Sequence, residues 1–219
     1  MSRRYDTLFF DLDGTLTDPG QGITSAIMYS LEKLGLPVPE RTELYKFIGP
    51  PLIGSYREFY GFSQEEAVRA AALYREYYGE KGLWENRVYD GIPALLAELK
   101  ADGRQLCVAT SKPEPFAVRI MERFDLARYF DHICGATMDE KRDSKHLVIE
   151  YALGVCGVTD RHSVLMVGDR KHDILGAKES GLDSMGVLYG YGNREEFAAA
   201  GADYVAETVA DIGVILKAL

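Results

Sequence analysis

Short apolar runs and longer stretches with apolar residues three and four apart alternate along this chain, and the alternation changes character once. Residues 5–10 read as a buried strand closed by the turn chemistry of Asp13, Gly14 and Thr15. From Gln21 to Leu34, apolar Ile23, Ala26, Ile27, Leu31 and Leu34 recur at helical spacing with Ser30 among them, and Gly35 supplies a stop. Helical patterning continues over residues 41–47 and 52–60, and a further run over 67–78 is opened by Ser63 and Glu66 as a capping box. No strand signal interrupts residues 20–83, which predicts an all-helical insertion, with residues 88–93 as the return.

Beyond the insertion the period alternates. Helices are expected over 92–101, 113–124, 144–155 and 171–180, and strands over 105–109, 132–134, 163–167, 184–188 and near Tyr204. A β-α succession of this kind implies an α/β fold: a mostly parallel sheet, right-handed crossovers and helices on both faces. Ligands then bind outside the carboxyl ends of the strands.

Composition narrows the classes without naming a chemistry. A chain of 219 residues, 47% hydrophobic and 27% charged, has the profile of an ordinary globular protein able to bury a sizeable core. The 34 acidic against 25 basic side chains give a net charge of −9, a field that repels nucleic acid but leaves room for a local cation site holding a small phosphorylated ligand. Cys107, Cys134 and Cys156 are odd in number and match no zinc or redox spacing, so reduced thiols and a cytoplasmic setting are expected. Arg3 and Arg4 precede only the short run Leu8 to Phe10, which does not fit a secretory signal, and no run of about eighteen apolar residues offers a membrane span.

Four places where polar residues follow a strand or open a helix carry the candidate chemistry: DLDGTLTD from Asp11, ATSK from Ala109, Lys145, and GDRKHD from Gly168. In this order the chain resembles the haloacid dehalogenase-like hydrolase superfamily, in its phosphoglycolate phosphatase-like and 5'-nucleotidase-like branch. IGPPL at Ile48 to Leu52 also looks like that branch. The resemblance spans essentially the whole chain. It implies a Rossmann-like three-layer α/β/α core of residues 1–17 and 86–219, a helical cap of residues 18–85, and a magnesium-dependent phosphatase.

Each position has a physical reading beside the resemblance. A carboxylate at a central strand end attacks phosphorus in line only when a cation and an aligned phosphoryl group are close, and Asp11 has that place. Asp13 is expected to protonate the leaving oxygen and later to deprotonate water, while Gly14 lets the backbone approach the phosphoryl oxygens. Asp11, Asp13, Asp169 and Asp173 gather four acidic groups, and a pair of unit charges about 4 Å apart repels by roughly 4 kcal/mol at a surface-like dielectric. An all-oxygen set of this kind suits a hard dication, and substrate phosphate as a ligand favours magnesium. By resemblance the ligands are Asp11, the Asp13 carbonyl and Asp169, with Asp173 as a direct or outer-sphere acid.

Thr110 and Ser111 end a strand where hydroxyls can bond phosphoryl oxygens. Relatives often carry Lys-Pro-x-Pro for the next motif, whereas here Lys141, Arg142, Asp143, Ser144 and Lys145 follow one another, so the lysine could be 141 or 145. Ser144 as an N-cap favours Lys145 on a first helical turn. GYG at Gly190 to Gly192 reads as a loop, His172 as an exposed loop histidine, and Tyr74, Tyr77 and Tyr78 as a packing stripe. Lys46 and Arg57 are candidates for substrate selection. Dehalogenases need neither a metal nor an acid at Asp13. Phosphomutases share both aspartates and stay open, as does a non-catalytic module that binds a phosphometabolite, although no catalytic group is lost. The expected partner is a small phosphorylated metabolite, with a monomer or homodimer as the assembly.

Overall fold

The computed structural model describes residues 5–139 and 141–219, so Arg3 and Arg4 lie outside the described residues. The chain divides into two compact units, Met1–Thr17 with Val88–Leu219, and Asp18–Arg87.

The first unit opens with β1 (Thr7–Phe10), buried along its whole length. The chain then passes through β2 (Thr17–Asp18), leaves for the helical unit and returns at β3 (Arg87–Val88), which pairs with β2. β4 (Gln105–Pro113), β5 (His132–Ala136), β6 (Val164–Gly168), β7 (Asp183–Val187) and β8 (Tyr204–Ala206) complete the main sheet. Its order is β5-β4-β1-β6-β7-β8, and every pairing is parallel. β1 and β6 are buried throughout and, apart from Thr7, carry no polar side chain, because a central parallel strand covered on both faces has no side that meets water.

Register follows directly: Thr7 lies opposite both Gln105 and Val164, so β1, β4 and β6 begin side by side. The order reverses direction at β1, which makes their carboxyl ends the switch-point crevice of an open α/β sheet. Phe9, Cys107, Ala109, Cys134 and Met166 pack with Val148, Ile149, Ala152 and Ala177 in one apolar cluster. All three cysteines are free thiols, two of them buried.

The helical unit holds α1 (Gly20–Lys33), α2 (Leu52–Tyr60) and α3 (Gln64–Tyr77). The capping box at Ser63 and Glu66 forms as the sequence predicts. Tyr74 and Tyr78 are buried and stacked with centroids 5.1 Å apart, the expected packing stripe. Residues 41–47 wind as a 3-10 turn, which leaves Lys46 exposed over the Phe59 ring at 4.8 Å; Arg57 is exposed as well.

The remaining helices of the first unit are α4 (Ile92–Ala101), α5 (Glu114–Arg123), α6 (Lys145–Val155), α7 (Lys171–Glu179), α8 (Arg194–Ala200) and α9 (Val209–Ala218). β4 runs four residues past its expected end at Ala109, with an irregularity between Thr110 and Pro113. α8 and α9 have no counterpart in the sequence expectation. Among the described residues no helix is long and apolar enough to cross a membrane.

Candidate active site

Asp11 follows β1 directly, and its N–H continues the ladder to Val167 at 2.9 Å. The chain then closes a tight loop on the Leu12 carbonyl, which accepts from Leu16 at 2.9 Å and Thr17 at 3.0 Å. Gly14 has φ of +82°, and a Cβ there would fall 2.0 Å from Asp169 Oδ2, so no side chain fits. The Tyr189 hydroxyl donates to the Thr15 carbonyl at 2.9 Å and ties this loop to the segment after β7.

Asp169 follows β6, and Asp173 lies on the first turn of α7, where its Oδ2 accepts the Arg170 N–H at 3.0 Å. Asp11, Asp169 and Asp173 each offer an oxygen within 4.8 Å of the others, and all three are buried. Burial pushes the Asp169 carboxyl well above its ordinary range, with Asp173 and Asp11 adding to the rise. Asp173 is pushed up to about 6 by burial, against the opposing pull of Lys145. Asp169 Oδ1 is buried and has no hydrogen-bond partner among the described residues. An orphaned carboxylate oxygen beside two other buried carboxylates is a costly arrangement unless a cation enters it. The residues therefore fit a hard dication with oxygen ligands.

Lys145 opens α6 behind the Ser144 N-cap, whose side chain accepts from Leu147 N. Its Nζ lies 2.9 Å from Asp11 Oδ1 and 2.7 Å from Asp173 Oδ1, and donates to the Ala109 carbonyl at 3.0 Å. Burial pulls this ammonium down, but the two carboxylates outweigh it and hold the group above its ordinary value. Lys141 is exposed and pairs with Asp139 at 3.0 Å, so of the two lysines it is Lys145 that reaches Asp11.

Asp13 is buried, but its carboxylate is not part of the three-acid cluster. Its Oδ2 accepts from Lys112 Nζ at 2.6 Å. Burial pushes the Asp13 carboxyl up and Lys112 works against it. Thr110 is buried with its Oγ1 accepting the Lys112 N–H at 3.2 Å, and Ser111 is half-buried.

Two features escaped sequence reasoning. Lys112 lies within ATSK without an expected role, and no local signal in the sequence pairs it with Asp13. The GYG segment is a loop as expected, yet it braces the acids: Tyr191 N–H donates to Asp169 Oδ2 at 2.8 Å, and a Cβ on Gly190 would fall 2.3 Å from the Gly14 carbonyl. His172 corrects the expectation of an exposed loop residue. α7 begins at Lys171, so His172 lies within its first turn and half-buried, where burial and then Arg170 and Lys171 pull its pKa down.

The family model for haloacid dehalogenase-like hydrolases matches residues 8–187. A 5'-nucleotidase of Pseudomonas aeruginosa is 45% identical over 196 residues, covering 90% of this chain and 88% of that protein. The tyrosine-protein kinase PtkA of Mycobacterium tuberculosis is 41% identical over 213 residues, covering 97% of this chain and 72% of its own. A crystal structure described as a predicted phosphatase from Clostridium acetobutylicum shares the fold at a TM-score of 0.96 and 45% identity, over 99% of this chain and 100% of that one.

Proposed function

The chain belongs to the haloacid dehalogenase-like hydrolases, and from that premise we propose that it is a magnesium-dependent phosphatase of small phosphorylated metabolites that works through a phosphorylated Asp11. The observation that carries this reading is Lys145 bridging Asp11 and Asp173 beside the orphaned oxygen of Asp169. Such a cluster matches a transferring phosphoryl group and a dication better than it matches a resting protein core.

Asp11 attacks phosphorus, and the ester oxygen departs with a proton from Asp13. Water then attacks the aspartyl-phosphate, with Asp13 taking its proton. Lys145 keeps Asp11 and the incoming phosphoryl oxygens from repelling one another. Thr110, Ser111 and the backbone at Gly14 hold phosphoryl oxygens in line. Asp11, Asp169 and Asp173, with the Asp13 carbonyl, would hold magnesium, which supplies charge neutralisation on the phosphoryl group.

Nucleoside 5'-monophosphates are the first substrate class to try, since the relative named 5'-nucleotidase is 45% identical, and phosphoglycolate is the second. A panel of phosphate monoesters ranked by kcat/KM, with and without a chelator and with Asp11→Asn, tests the reading. Activity that survives both chelation and Asp11→Asn overturns the metal and the nucleophile together. A second reading, transfer of the phosphoryl group from Asp11 to a hydroxyl, is favoured by the relative named a tyrosine-protein kinase. Release of inorganic phosphate in step with product alcohol separates hydrolysis from transfer.

A further inference from the structure

The proposed chemistry uses one buried lysine, yet the first unit buries two beside reacting carboxylates. Lys112 has a side chain 5% exposed, and Asp13 one that is 10% exposed. Their 2.6 Å contact engages only Oδ2 of Asp13. Oδ1 of the same carboxylate is buried with no hydrogen-bond partner among the described residues. One oxygen is thus clamped and the other left without a partner, an arrangement that fixes which way the carboxyl group faces.

Local structure explains how Lys112 comes to be there. β4 becomes irregular between Thr110 and Pro113, and the Lys112 N–H turns onto Thr110 Oγ1 at 3.2 Å. Backbone and side chain of Lys112 are therefore each tied to a different candidate site residue. An exposed lysine would swing freely, whereas this one loses little further freedom when substrate arrives.

We infer that Lys112 is a positioning residue: by clamping Asp13 Oδ2 it aims Oδ1 at the leaving oxygen of the substrate. This rests on the reading of Asp13 as the acid. As Asp11 forms its bond to phosphorus, the bond from phosphorus to the ester oxygen breaks. The departing electron pair takes the proton from Asp13 Oδ1, while Lys112 keeps its own protons and its contact to Oδ2. A misaimed acid costs most where the leaving group needs a proton most.

The test compares two substrates in a magnesium-containing buffer. p-Nitrophenyl phosphate expels a phenolate that needs no proton, whereas glycerol phosphate expels an alkoxide that does. The readout is kcat/KM, which covers the steps through ester cleavage and leaves out the later attack of water. In Lys112→Met, kcat/KM for glycerol phosphate is expected to fall about 100-fold, the usual scale for a misplaced reacting group, and for p-nitrophenyl phosphate by less than about tenfold. Equal losses on both substrates would mean that Lys112 contacts the phosphoryl group or only supports the fold, and no loss on either would mean that it has no role. Each result overturns the inference.

Asp13→Asn separates this inference from the reading beneath it. If Asp13→Asn shows the leaving-group-dependent loss and Lys112→Met does not, the inference alone fails. If Asp13→Asn lacks that pattern, the acid assignment fails and takes the inference with it. The double variant Lys112→Met/Asp13→Asn leaves no unpaired buried charge, so it covers the case in which Lys112→Met does not fold. Its loss on glycerol phosphate is expected to match that of Asp13→Asn alone, because the clamp has nothing left to aim. A further multiplicative loss would show that Lys112 acts elsewhere.

Discussion

Lys145 Nζ stands 2.9 Å from Asp11 Oδ1, and both side chains are about one-twentieth exposed. The same ammonium reaches Asp173 at 2.7 Å. One positive charge serves two buried carboxylates, and its removal leaves both uncompensated.

Lys145→Met is therefore expected to cost about 3–5 kcal/mol of stability, the range for breaking a buried pair from one side. Adding Asp173→Asn to that variant should restore at least half of the loss, because it removes one stranded charge. Urea melts of the wild type and both variants measure this. If the double variant is as unstable as the single one, the destabilisation has another source.

Magnesium should raise the melting temperature by roughly 5–10 °C at about a hundredfold excess over its Kd, and a chelator should reverse the rise. Asp169→Asn should melt higher than the wild type without metal, since it takes one charge from a crowded acid cluster, and should lose most of the magnesium response. A metal-induced shift of undiminished size in Asp169→Asn would remove that residue from the ligand set.

The sign of the pH dependence follows from Asp173, whose carboxyl rises from an ordinary 3.8 to about 6 in the folded, metal-free chain. The folded state holds that proton more tightly than the unfolded state. Stability from it is fully present below pH 4 and is lost as pH rises through about 6. In the presence of a chelator, the stability of the wild type relative to Asp173→Asn should fall on the order of 2 kcal/mol between pH 4 and 6.5. A difference that stays flat or grows with pH contradicts the assignment.

The Gly190 backbone lies against the acid cluster, and a Cβ there would come within 2.6 Å of Asp169 Oδ2. Gly190→Ala should thus displace Asp169 and weaken magnesium binding by about 10–100-fold, the scale of outer-shell changes at metal sites. Calorimetric titration of the variant measures it; unchanged affinity would show that this loop does not brace Asp169.

How much of this was legible in the sequence differs from element to element. β1 and β6 were found within two residues because strands covered on both faces are almost continuously apolar. Asp11, Asp169 and Asp173 announced themselves by their spacing from those strands. β4 was cut short at Ala109 because polar Thr110, Ser111 and Lys112 look like loop chemistry, and Lys112 was lost with that cut. Nothing in the local pattern shows that the partner of Lys112 is Asp13, ninety-nine positions away. α9 had a readable signal in the capping box of Thr208 and Asp211, whereas α8 is seven residues long and shows little period. The bracing by Gly190 and Tyr191 depends on a close approach of two loops distant in sequence, which no local rule encodes.

The pairing of Thr7 with both Gln105 and Val164 sets an order of assembly. During synthesis β1 waits for its neighbours, because Gln105 of β4 is made 98 residues after Thr7 (105 − 7) and Val164 of β6 157 residues after it (164 − 7). The helices of residues 18–87, in which α1 packs on α3, are complete before β4 is made and can form meanwhile. Asp11, one step past that waiting strand, reaches its working position only after β6 has been made. Truncated or stalled chains would therefore carry folded helices and no competent nucleophile.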